Sequence, residues 1–137
     1  MNKTTPIFLA MLALLFSSLA CAALGTKASL ENLRMAYDQN GDQVTSSFSS
    51  TNVFYAVTDL NDAPQGTVVR AVWTAVDAND VDAGFEFQQQ TLEITEESSS
   101  GPIYFKLSND DSWPAGLYRV EIYLDDTLAQ SLEFNVE

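Results

Sequence analysis

The sequence predicts an all-β protein, a two-sheet antiparallel sandwich of about seven or eight short strands in roughly 110 residues. Three observations carry that expectation. Apolar and polar residues alternate with period two along most of the chain after Ala28, the pattern of strands that bury one face. Clusters of Asp, Asn, Ser, Gly and Pro interrupt the alternation at short intervals, which is turn chemistry. No stretch in that region sustains the spacing of an amphipathic helix.

Taken in order, residues 29–35 (SLENLRM) are read as the first strand, although Leu30 and Leu33 stand three apart and would also suit the opening of a helix. Residues 53–57 (VFYAV) are a β-branched and aromatic run, and residues 67–76 (TVVRAVWTAV) form a longer one with only Arg70 charged. Residues 85–87, 91–95, 103–107 and 118–124 alternate cleanly, and residues 128–136 put Leu128, Leu132, Phe134 and Val136 on one face. Between them, residues 38–42, 61–66, 98–102 and 109–116 are expected to be turns, and Asp125-Asp126 a tight hairpin turn. No internal repeat and no linker between domains is visible, so one domain over residues 22–137 follows a leader over residues 1–21.

The leader is expected on its composition. Lys3 lies in a short polar start, residues 7–16 (IFLAMLALLF) are unbroken apolar sequence, and residues 17–23 (SSLACAA) are small. That order is what export and cleavage require, and the apolar run is about half of the ~20 residues that cross a bilayer as a helix. Two cuts compete. Ala20-Cys21-Ala22 has the small-x-small form of a general signal-peptidase site, which would release a soluble protein. Ser18-Leu19-Ala20-Cys21 resembles a bacterial lipobox, which implies that Cys21 carries a lipid. It departs from that pattern in having Ser18 where Leu is usual. Cys21 is the chain's one cysteine, so it has no disulfide partner, and lipidation would account for it. The protein is therefore expected outside the cytoplasm, in a bacterial cell envelope, with membrane contact only through Cys21.

Six basic against 19 acidic residues give a net charge of −13. With no basic patch to neutralise phosphates, nucleic acid is excluded as a partner, and an anionic bilayer would repel the domain itself. Histidine is absent, which removes imidazole-based nucleophilic catalysis and most zinc or copper sites. Adjacent carboxylates remain, at Glu96-Glu97, Asp110-Asp111 and Asp125-Asp126. Paired acids catalyse only in a cleft that raises the pKa of one of them, and short loops on a small sandwich give little depth. No enzyme activity and no cofactor is expected.

The C-terminal residues 113–126 (WPAGLYRVEIYLDD), followed by Leu128 and residues 131–136 (SLEFNV), resemble the last hairpin of bacterial immunoglobulin-like or fibronectin-III-like envelope modules. The resemblance implies that Tyr118 bonds back to the backbone near the start of its strand, and that Trp73 is the core tryptophan between the sheets. The inter-sheet disulfide of immunoglobulins has no counterpart here.

Two weak sites can be named. Asp38, Asn40 and Asp42 place oxygens at positions one, three and five, as an EF-hand-type calcium loop does. However, Gln43 stands at its glycine position and Ser49 at its glutamate position, so ordinary turns are the favoured reading. A second acidic group is Asp77, Asp80 and Asp82, and a third is Asn109, Asp110 and Asp111. Tyr104, Tyr123 and Trp113 fall on polar strand phases or in a loop, where aromatics stack on sugars, anchor protein interfaces or stabilise a wet sheet face. The expected role is thus a non-catalytic envelope module that binds an envelope protein or surface. A carbohydrate-binding module and a weak calcium-binding adhesion domain are the alternatives.

Overall fold

The computed structural model describes residues 27–137; the expected leader and Cys21 lie outside the described residues. Eight strands are present among them: β1 (Ser29–Ala36), β2 (Ser47–Phe48), β3 (Phe54–Pro64), β4 (Val68–Ala78), β5 (Glu86–Glu93), β6 (Ser98–Leu107), β7 (Gly116–Leu124) and β8 (Thr127–Val136). One sheet has the order β1-β3-β6 and the other β2-β8-β7-β4-β5. All pairings are antiparallel except the short β2–β8 contact. The fold is the expected all-β two-sheet sandwich.

Alternation decides which residues meet between the sheets. Phe54, Ala56 and Leu60 of β3 face Val69, Ala71 and Trp73 of β4, with Tyr118, Val120 and Ile122 of β7 beside them, and all are buried. Aromatic rings gather toward one end of this core. Phe54 lies 4.8 Å from Phe48, 5.1 Å from Phe134 and 5.2 Å from Trp113, centroid to centroid. Burying each such ring contributes about 1.5–3 kcal/mol. The aromatic end is also the end with the longer connections, residues 37–53, 79–85 and 108–115. The opposite end has short turns at residues 65–67, 94–97 and 125–126, and β1 begins there.

Several local features match the sequence. Ser29–Ala36 is a strand, and the helix-like spacing of Leu30 and Leu33 reflects an irregularity between Glu31 and Arg34, with Asn32 at φ 55°. Asp125 and Asp126 take φ of 46° and 66° in the β7–β8 hairpin, as a twist-matched two-residue turn demands. Trp73 is 1% exposed, and the Tyr118 hydroxyl donates to the Pro114 carbonyl at 2.6 Å. Gly116, at φ 151°, is required: a Cβ there would collide with the Asp77 carbonyl and the Ala78 backbone across the ladder.

Other expectations are corrected. Residues 61–64 and 98–102 are not turns; they are strand, paired from Ala63↔Ser99 to Pro64↔Ser98. A register shift between Leu60 and Ala63, with Asp62 at φ 50°, absorbs the turn-prone residues, and the Asp62 N–H donates to Ser100 Oγ at 2.9 Å. Residues 85–87 and 91–95, read as two strands, are largely one, β5, because the intervening glutamines continue the ladder with β4. The two-residue β2 was not anticipated.

Candidate functional site

The loop holding Asp38, Asn40 and Asp42 is organised by its own backbone. The Asp38 carboxylate accepts N–H bonds from Gln43 at 2.8 Å, Asn40 at 3.2 Å and Asp42 at 3.3 Å. These bonds, Gln43 first, hold its carboxyl below the usual carboxylate range. Arg34 braces the loop from β1, donating from Nε to the Gly41 carbonyl at 3.2 Å. Asp38 is thereby a turn-former whose oxygens are already engaged. Among the described residues no group of three or more carboxylates is gathered as a metal cage.

The three candidate aromatics do not share a surface. Trp113, expected among the exposed aromatics, is 7% exposed and belongs to the core. Its loop turns back to the connection between β2 and β3, where the Trp113 backbone N–H donates to the Ser50 carbonyl at 2.8 Å and the indole N–H to the Asn52 carbonyl at 3.2 Å. Tyr104 is exposed on the outer face of the three-stranded sheet, its ring 6.0 Å from that of Tyr55. Tyr123 is on the outer face of the other sheet, with the Arg70 guanidinium 4.3 Å above its ring, a cation–π contact. Its hydroxyl donates to Glu121 at 3.0 Å, and that bond pushes the Tyr123 phenol up. The carboxylate pairs are likewise separated. Asp125 caps the Val68 N–H at 2.9 Å at the short-turn end, while Asp110 and Asp111 sit in the 108–115 loop at the other end.

The feature that combines apolar exposure and recesses with two outermost strands, among the described residues, is the side of the sandwich where β5 faces β6. Each of these strands is the last of its sheet. A recess of about 260 Å³ lies between Phe87 and Gln88 on one side and Leu107, Trp113 and Pro114 on the other. A second, of about 290 Å³, continues round Phe87 to Phe85, Val81 and Asp82. A third, of about 270 Å³, lies farther along, between Leu92, Ile94 and Ile103. Phe85 is 52% exposed. Between the recesses Gln90 spans the gap, accepting the Trp73 indole N–H at 3.2 Å and donating to the Lys106 carbonyl. A larger recess, about 460 Å³, lies at the short-turn end beside Lys27, Thr67 and Leu124.

Sequence reasoning missed Gln90, Phe85 and Phe87 as a group. The signal was present in residues 85–92 (FEFQQQTL), an uncharged glutamine run between apolar residues where a wet strand would normally carry Lys, Arg or Thr.

No protein-family model matches the sequence, and no curated protein matches it. Solved structures do resemble it in fold. An immunoglobulin-like protein from Pseudomonas aeruginosa superposes with a TM-score of 0.55 at 11% identity, covering 82% of this chain and 98% of that one. β-Glucosidase 3B from Thermotoga neapolitana gives 0.52 at 12% identity over 82% of this chain, but only 16% of the enzyme. The alkylpurine DNA glycosylase AlkC from Pseudomonas fluorescens gives 0.50 at 14% identity over 82% of this chain and 31% of the glycosylase. The chain thus spans a third or less of the two enzymes it resembles. At these identities the likeness is one of fold: the chain is an immunoglobulin-like β-sandwich.

Proposed function

We propose that this chain is an exported, non-catalytic cell-envelope module, tethered to a bacterial membrane by a lipid on Cys21, whose sandwich binds another protein of the envelope. The observation that carries this reading is the β5 side of the sandwich: exposed Phe85 beside half-buried Phe87 on a terminal strand, flanked by three recesses of about 260–290 Å³. These recesses fall short of the ~300–1,000 Å³ of enclosed small-molecule sites, whereas protein partners use shallow apolar anchors of this kind. The tether supports the same reading. Residues 22–28 would join Cys21 to β1 at the short-turn end, directing the longer loops away from the bilayer.

Catalysis by paired acids is disfavoured because the three adjacent pairs line no common recess: Asp110-Asp111 sit in the 108–115 loop, while at the short-turn end Glu96 borders the Leu92–Ile103 recess and Asp125 the separate one beside Lys27. A sugar platform is disfavoured because Tyr104 and Tyr123 lie on opposite faces and Trp113 is buried. The test is fractionation. Wild type should partition into detergent and Cys21→Ser into the aqueous or periplasmic fraction. Equal partitioning would remove the lipid anchor and favour release after Ala22.

A further inference from the structure

We propose that β5 is a docking edge for an extended peptide segment of a partner protein, one with two apolar side chains four residues apart and basic residues outside them. The inference rests on the reading of this chain as a protein-binding module and names the partner's chemistry. A terminal strand leaves a row of backbone N–H and C=O groups unpaired, and sandwiches normally blunt such rows. Three of the four outermost strands here are blunted. β1 is broken by the irregularity between Glu31 and Arg34, with Asn32 at φ 55°. β2 has two residues. β6 carries Pro102, Lys106 and Gly101 at φ 134°. β5 has eight residues and contains no proline, lysine or arginine; its irregularity falls only at its start, opposite Trp73 and Thr74.

The inner side of a strand added to β5 would lie over the gap between the sheets. Alternate side chains of that strand would then meet, in order, the Phe87–Leu107 recess, the Gln90 amide and the Leu92–Ile103 recess. From Gln88 to Leu92 the β4–β5 ladder advances from Trp73 to Val69, which places the two apolar anchors at i and i+4 with a small polar residue between them. Added-strand recognition works in this way: backbone bonds supply affinity and pockets for alternate side chains supply specificity. Charge selects the flanks. Glu86 and Glu93 bracket an uncharged centre, in a chain of net charge −13. An antiparallel second copy centred on β5 would set Glu86 against Glu93, whereas basic flanks would be attracted at both ends.

The test is an NMR titration of the ¹⁵N-labelled full chain carrying Cys21→Ser, with two probes: Lys-Val-Thr-Thr-Thr-Val-Lys and the same peptide with phenylalanine anchors. Saturable shifts confined to the amides of residues 86–93 and the recess walls are expected with at least one probe. Exchanging the probe's lysines for glutamates should weaken binding about tenfold or more, and Glu86→Lys with Glu93→Lys should do the same without lowering the melting temperature. Absence of saturable shifts on β5 with both probes, or equal affinity for lysine and glutamate flanks, overturns the proposal. Concentration-dependent broadening of β5 amides without peptide also overturns it, in favour of a second copy. Fractionation and titration fail separately: losing the Cys21 anchor leaves β5 docking intact, and losing β5 docking leaves the anchor intact.

Discussion

Where β1 meets β8, the sandwich is closed by a buried polar clasp: the Thr58 hydroxyl, fully buried, lies 2.9 Å from the Glu31 carbonyl and 2.7 Å from the Gln130 amide. Where β5 faces β6, one half-exposed glutamine reaches across, and recesses flank it on both sides. The same core thus ends in a sealed side and an unsealed one. The difference teaches where to look for binding: buried polar groups that are fully satisfied fix a fold, while backbone edges and partly exposed rings are what a partner can still use.

Substitutions measure that contrast, and the largest effect lies in the core common to both sides. Trp73→Ala should cost about 3–5 kcal/mol in urea denaturation. A loss under about 1 kcal/mol would mean that Trp73 does not pack between the sheets. On the sealed side, Thr58→Val removes one member of a buried network and should cost about 1–3 kcal/mol. On the unsealed side, Gln90→Ala leaves the Trp73 indole N–H within reach of water and should cost less, about 0.5–1.5 kcal/mol. Reversal of that order, measured by the same denaturation, would contradict the contrast.

Two smaller effects concern the turns. Calcium at ~1 mM, at matched ionic strength, should raise the melting temperature by less than about 5 °C, because the Asp38 carboxylate already serves three backbone N–H groups. A larger calcium-specific rise would mean that the 38–42 loop is a metal site. The smallest effect is on the acid limb. Because its folded pKa is lowered from 3.8, Asp38 contributes stability that is present above that value and lost as pH falls through the lower folded value. Asp38→Asn should therefore flatten melting temperature against pH in the acid range, leaving the slope above pH 5 unchanged.

The sealed and unsealed sides also differ in how far the sequence revealed them. Alternation exposed the strands on either side of the Asp125-Asp126 hairpin, and the resemblance to immunoglobulin-like hairpins implied the places of Trp73 and Tyr118, since each of these depends on neighbours close in sequence or on one strand's phase. Residues 98–102 misled because serine, glycine and proline are turn-prone alone, and only pairing with residues 59–64 makes them strand. Trp113 misled because its burial depends on a loop folding back to Ser50 and Asn52, some 60 residues away. β5 was split in two because its glutamines join the ladder with β4, and Gln90 bonds Trp73 of that neighbouring strand and Lys106 across the gap. Sites made by contacts between sheets leave little trace in the local period of either strand.

The most direct test of the unsealed side is site-specific photocrosslinking in the living source cell. A photoreactive residue replacing Gln88 on β5 would be compared with one replacing Glu31 on β1; both positions are exposed. The structure predicts a discrete adduct from position 88, lost when Glu86 and Glu93 are both changed to lysine, and none from position 31. Equal adducts from both positions, or an adduct from position 31 alone, would contradict the assignment of β5 as the edge on which this sandwich receives its partner.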